Sequence, residues 1–138
     1  MRTEYLFVYG TLRSDANSVW HDRLIAPFFT LVGTGKTAGR MYSLGEYPGL
    51  VECQDNITQV EGEIYSFDAD VASLEELDEY EGCDAFTPQP HEYRRTQAWV
   101  TLDNGDEMYA WCYYYLGDVS ALEPLGGWPP PVDYRSSR

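Results

Sequence analysis

The acidic segment Leu74-Glu75-Glu76-Leu77-Asp78-Glu79-Tyr80-Glu81-Gly82 holds the residue with the clearest chemical potential in the chain. On a helix, Leu74, Leu77 and Glu81 fall at i, i+3 and i+7, along one stripe. The two leucines require the core, so the stripe carries Glu81 to the interior or its rim. Three effects there raise the pH at which a carboxyl loses its proton. They are partial loss of hydration, the like charge of Asp78 one turn back, and the negative end of the helix dipole. A carboxyl tuned in this way exchanges protons near neutral pH. The pattern alone leaves a plainer alternative open, in which Glu81 is the solvated last residue of an acidic helix and Asp78 a structural contact at the helix end.

A second candidate is Tyr9-Gly10-Thr11-Leu12-Arg13, which follows an apolar run directly. Gly10 permits a tight turn and close approach of a ligand, and successive free N–H groups in such a turn can cradle an anion. Neither phosphate-loop nor dinucleotide glycine spacing is present, so a carboxylate is the more suitable guest. An ordinary strand-to-loop turn, with Arg13 solvated, accounts for the same residues. Cys83 and His91 raise the question of a thiol nucleophile, but no local motif supports one, and a structural cysteine is the simpler assignment. His21 and the cysteines lack metal-ligand spacing, and no serine sits in a nucleophile elbow. Trp111–Tyr115 alternates along a strand, with one face for the core and the other for core or pocket wall. Tyr93-Arg94-Arg95 opens a strand, and its basic pair reads as surface.

The elements that would position these residues are mostly strands. β-rich runs cover 4–9, 28–34, 38–44, 58–67, 93–102 and 107–116, with Gly33, Gly35 and Gly39 as bends or bulges. Asp103-Asn104-Gly105-Asp106 between the last two runs is a strong hairpin signal. Tyr47-Pro48-Gly49 reads as a turn. The spacing predicts a helix over 70–81, capped by Asp68 or Asp70 and stopped at Gly82, and a short helix over 19–25. Residues 84–92 form a loop with two prolines, and the tail from about 124 is expected to be loose. A length of 138 residues fits a single domain over 1–138. Many strands with one good helix predict an α+β fold around a closed or nearly closed sheet.

The formal net charge of −14 disfavours nucleic acid and anionic membrane surfaces as partners. No apolar stretch is long enough to span a bilayer, and the N-terminus lacks a signal-peptide core. Three widely spaced cysteines form no disulfide framework, so a reducing cytoplasm is the expected compartment. A monomer or loose homodimer is expected.

Several of these pieces, in order, resemble the γ-glutamylcyclotransferase superfamily, including the γ-glutamylamine cyclotransferases and the plant avirulence-induced proteins. They are Val8-Tyr9-Gly10-Thr11-Leu12-Arg13, Tyr47-Pro48-Gly49, Val60-Glu61-Gly62-Glu63-Ile64-Tyr65, Leu77-Asp78-Glu79-Tyr80-Glu81-Gly82, Tyr93-Arg94-Arg95 and the Trp111–Tyr115 strand. The resemblance implies a small mixed β-barrel flanked by short helices. It implies that Tyr9, Gly10, Thr11 and Leu12 hold a substrate α-carboxylate, largely through backbone N–H groups, and that Glu81 is catalytic. The implied reaction releases 5-oxoproline from a γ-glutamyl amine or γ-glutamyl peptide by intramolecular aminolysis. It needs no metal, nucleotide or other cofactor. A non-catalytic module that binds a small carboxylate on the same fold is the alternative. The long proline-bearing segment Asp84–Glu92 departs from the shorter family members and leaves the substrate's identity open.

Overall fold

The molecule is built on strands whose side chains alternate between two apolar layers. The structure, a computed structural model, describes residues 2–9, 25, 27–44, 48–52, 58–72, 74–81, 83, 90–122 and 124–125. Five strands close into a barrel in the order β1-β5-β2-β6-β7: β1 (Thr3–Val8), β5 (Gln59–Asp68), β2 (Thr30–Ala38), β6 (Tyr93–Leu102) and β7 (Glu107–Tyr115). Four of the pairings are antiparallel, and the closing contact, Leu6 beside Trp111, is parallel. The barrel is therefore mixed, and closure removes the free edges that an open sheet would expose.

Phe7, Val60, Ile64, Val100, Leu102, Ala110, Cys112 and Tyr114 form the inner layer. Leu6, Val8, Tyr65, Phe67, Tyr93 and Tyr113 point the other way, into a second layer with Ile25, Phe29, Leu74 and Leu77. Both faces of the Trp111–Tyr115 run therefore belong to packed layers, joined on the outer face by partly buried Trp111 and Tyr115. The inner layer has little room. A Cβ on Gly62 would lie 2.4 Å from the Val8 carbonyl oxygen and 2.6 Å from the Phe7 ring. Only glycine lets the end of β1 lie this close to β5.

A small second sheet, β4-β3-β8, caps the barrel. Here β3 is Arg40–Ser43, β4 is Pro48–Val51 and β8 is Pro124–Leu125. Pro48 and Gly49, expected in a turn, are instead paired with Ser43 and Tyr42. Pro48 opens an edge strand, where its missing N–H costs no ladder bond. Pro124 and Leu125 pair with Tyr42 and Met41, so the tail is tied down at its start. Of the three glycines expected at irregularities, Gly33 borders a register shift in the β2–β5 pairing and Gly39 joins β2 to β3 at φ 154°. Gly35 instead lies in regular register between Gly62 and Leu102.

The helix is shorter than its acidic pattern suggests. α1 runs Glu75–Glu81, not from residue 70. Asp68 explains the difference. Its carbonyl accepts the N–H groups of Val71 and Ala72, and its carboxylate accepts that of Asp70, which fixes a separate turn before the helix. Asp side chains offer the backbone this alternative to a helix. α1 is the single α-helix among the described residues. The expected short helix over 19–25, apart from Ile25, lies outside them, as do Gly10–Arg13, Tyr47, Gly82, residues 84–89 and the tail beyond 125.

Gly62→Ala should destabilise the protein by about 1–3 kcal/mol through overpacking. Urea unfolding followed by far-UV circular dichroism should show a lower midpoint with an unchanged slope.

Candidate active site

Leu77 is fully buried and Leu74 nearly so, and both pack in the outer layer of the barrel. That seats α1 flat on the barrel wall. Glu81, one turn beyond Leu77 on the same stripe, is carried to the barrel rim and is half-buried. Its carboxyl is held up to about 8, first by burial and then by the negative charges of Glu92 and Asp78. The phenol of Tyr9 and the thiol of Cys112, both buried, are raised by their own desolvation first, and feel the charge of Glu81 as well. The charge of Glu81 thus reaches the residue that follows β1 and a buried position on β7.

Tyr9 follows β1, with its ring in the inner layer. Its hydroxyl donates to the Tyr113 carbonyl at 2.6 Å and accepts the Leu50 N–H at 3.3 Å. The side chain thus ties β1, β4 and β7 together where the Gly10–Leu12 segment departs. With the phenol so engaged, a ligand contact from Tyr9 falls to its backbone. Gly10, Thr11 and Leu12 lie outside the described residues, so of the expected carboxylate loop the structure places Tyr9, at the same barrel end as Glu81.

Asp78 makes the structural contact expected at the helix end. Its Oδ1 accepts Arg95 Nε at 2.7 Å and the Tyr113 hydroxyl at 2.7 Å, and its Oδ2 accepts a terminal nitrogen of Arg95 at 3.0 Å. Arg95 also lies 4.6 Å over the Trp111 ring. The expectation of a surface basic pair at Arg94-Arg95 therefore holds for one member. Arg94 pairs with Glu52 at an exposed site, whereas Arg95 is drawn under the helix. The alternation of β6 carried the signal, because Arg95 shares a strand face with buried Tyr93.

A cavity of about 490 Å³ opens next to the last turn of α1. Asp78 and Cys83 border it from the helix end, Pro90 and His91 from the following segment, and Arg94 and Arg95 from β6. The loop after the helix thus reaches a cavity wall through its last residues. Cys83 shares that wall with His91, but burial, with Asp78 and Glu81 adding to it, pushes its thiol up to about 12. A nucleophilic cysteine needs the opposite shift. Among the described residues no cluster of three or more His, Cys, Asp or Glu side chains is arranged to hold a metal ion. No helix among them is long and apolar enough to cross a membrane.

Comparison with known proteins places this geometry in a lineage. Residues 6–130 match the family model described as gamma-glutamyl cyclotransferase, AIG2-like. The chain belongs to this family. A cyclotransferase-type enzyme is the coarse functional class that membership supports, with a small γ-glutamyl compound as substrate. Two similar proteins are provisionally named gamma-glutamylcyclotransferases. One, from Methanocaldococcus jannaschii, is 33% identical over 134 residues, which is 96% of this chain and 98% of the relative. The other, from Vibrio cholerae, is 35% identical over 113 residues, 80% of each chain. The crystal structure of an AIG2-like protein from Mus musculus superposes with a TM-score of 0.73, covering 93% of this chain and 89% of its own at 23% identity. It shares the cyclotransferase-family fold.

The raised proton affinity of Glu81 has a stability consequence. Its folded-state value of about 8 lies above the ordinary 4.5, so the folded protein holds a proton that the unfolded chain has released. The resulting stabilisation is complete below about pH 4.5 and is lost as pH rises through about 8. Measured by chemical unfolding across this range, wild type should lose stability relative to Glu81→Gln with rising pH, and the difference should level off above pH 8.

Proposed function

We propose that the protein converts a γ-glutamyl amine or γ-glutamyl peptide to 5-oxoproline, with Glu81 as general acid and base. The observation that carries this reading is a half-buried carboxyl whose proton affinity is raised to about 8 and whose charge reaches the buried phenol of Tyr9. The family resemblance implies that the segment Tyr9 through Leu12 holds the substrate's α-carboxylate. An α-carboxylate held there brings the neighbouring α-ammonium toward Glu81.

Glu81 takes a proton from the α-ammonium. The freed amine attacks the γ-carbonyl carbon of the same glutamyl unit, forming the ring C–N bond, and the ring nitrogen releases its second proton to solvent. The original amide C–N bond then breaks, and the departing amine takes its proton from Glu81. Nucleophile and target belong to one molecule, so orientation supplies much of the rate. A carboxyl of ordinary acidity would be a weak acceptor for an ammonium proton, and the raised affinity of Glu81 narrows that gap.

Incubation with a panel of γ-glutamyl dipeptides and γ-glutamyl amines, read by mass spectrometry for 5-oxoproline, tests the reaction. Glu81→Gln should remain folded and lose about 10²–10⁴ of its turnover. A folded Glu81→Gln protein with wild-type turnover would sink the mechanism. In wild type kcat/KM should rise with pH through about 8 as Glu81 ionises.

Gly10→Val tests the carboxylate segment separately. It should raise KM by roughly tenfold or more, because a side chain there would obstruct close backbone approach. An unchanged KM would remove the carboxylate from this segment.

A further inference from the structure

A helix of seven residues has little cohesion of its own, so the position of its last turn depends on what its side chains touch. Leu77 presses the helix onto the barrel but leaves it free to slide or roll, since apolar contact is non-directional. Asp78 supplies direction. Three nitrogen and oxygen donors converge on its carboxylate, two from the Arg95 fork and one from Tyr113, with the Cys83 thiol donating at 4.0 Å. A bidentate guanidinium–carboxylate pair fixes orientation as well as distance. Arg95 and Tyr113 are direct cross-strand partners on β6 and β7, so the clamp stands on the most regular hairpin of the barrel. The clamp is itself braced. Arg95 stacks over Trp111, whose ring nitrogen donates to Glu4 on β1 at 2.7 Å. The side chains of Arg95 and Asp78 are 28% and 14% exposed, so this is not a loose surface ion pair. The Cys83 N–H also donates to the Asp78 carbonyl at 2.9 Å, which ties the chain beyond Glu81 to the same residue.

We propose that Asp78, clamped by Arg95 and Tyr113, is a positioning residue that fixes the last turn of α1, and with it the Glu81 carboxyl, on the barrel rim. The inference rests on the reading of Glu81 as the acid–base group and adds what holds that group in place. It also has an electrostatic signature. The groups that face or reach Glu81 are Tyr9 after β1, Cys112 and Tyr113 on β7, Glu92 ahead of β6, Asp78 and Cys83 on its own segment, and Arg95 behind Asp78. Within the clamp, the charge of Asp78 is the one that raises the proton affinity of Glu81.

The test is a titration of the Glu81 side-chain carboxyl in the full chain by carbon-13 NMR. The resonance is identified by its loss in Glu81→Gln, and 5-oxoproline release is measured alongside. Asp78→Asn should move the Glu81 midpoint to lower pH, and Asp78→Asn and Arg95→Met should each reduce kcat roughly 10–100-fold with KM little changed. Arg95→Lys keeps the charge without the fork, so the midpoint should stay near wild type while kcat still falls. Where Asp78→Asn does not fold, Tyr113→Phe removes one neutral donor and should lower kcat with the midpoint nearly in place. A merely structural role predicts lower melting temperatures with an unmoved midpoint and wild-type kcat in the folded fraction, and that result overturns the proposal. Wild-type turnover in Glu81→Gln would bring down the acid–base reading itself. An inactive Glu81→Gln beside Arg95→Met and Arg95→Lys proteins of wild-type midpoint and kcat would bring down the positioning role alone.

Discussion

The carboxylate of Asp78, shared between Arg95 and Tyr113, is the contact on which the geometry around Glu81 depends. A buried carboxylate is costly unless hydrogen-bonded and paired, and here three donor atoms meet that demand. The donors come from adjacent strands in strict register. That register follows from alternation, since Tyr93 and Tyr113 face the outer layer while Val100, Ala110 and Cys112 face the inner one. A slip of one residue would turn Arg95 inward and leave Asp78 without its partner. The hairpin's hydrophobic pattern therefore determines where the helix can sit.

Tyr113 joins the two halves of the candidate site. Its hydroxyl donates to Asp78 on α1, and its backbone carbonyl accepts the Tyr9 hydroxyl. The acid-bearing helix and the strand that leads into the glycine-containing segment are thus referred to one residue of β7. Gly62 completes the arrangement, because its missing side chain lets the end of β1 pack closely on β5. Barrel closure makes this a rigid frame, and rigid elements hold reacting groups more precisely than loops do.

What local pattern could express was legible. The β-rich runs of β1, β5, β6 and β7 stand near their expected limits, and Gly105 at φ 96° takes the position-specific role in the hairpin that Asn-Gly announces. The stripe Leu74, Leu77, Glu81 places the carboxyl at the rim, as the helical period requires. What depended on distant partners was not legible. The start of α1 was misplaced because Asp68 forms a turn of its own, a competition that helix periodicity does not register. Pro48 was expected in a turn and residue 124 at the start of a loose tail, yet each sits in a short strand created by pairing with β3. Arg95 looked like half of a surface pair because its partner, Asp78, is seventeen residues away in sequence.

Asp78 and Glu81, two carboxylates in the last turn of α1, illustrate how environment separates residues of the same chemistry. Asp78 is engaged by a guanidinium and a phenol, so its oxygens are committed to holding the helix. Glu81 stands one turn away, desolvated and flanked by the negative charges of Glu92 and Asp78, so its proton is retained to about pH 8. The shorter side chain meets Arg95 and Tyr113 on the two strands beneath it. The charge that anchors the helix is thus one of those that raise the proton affinity of Glu81. Position and proton affinity are coupled through Asp78, so moving the helix would change both at once.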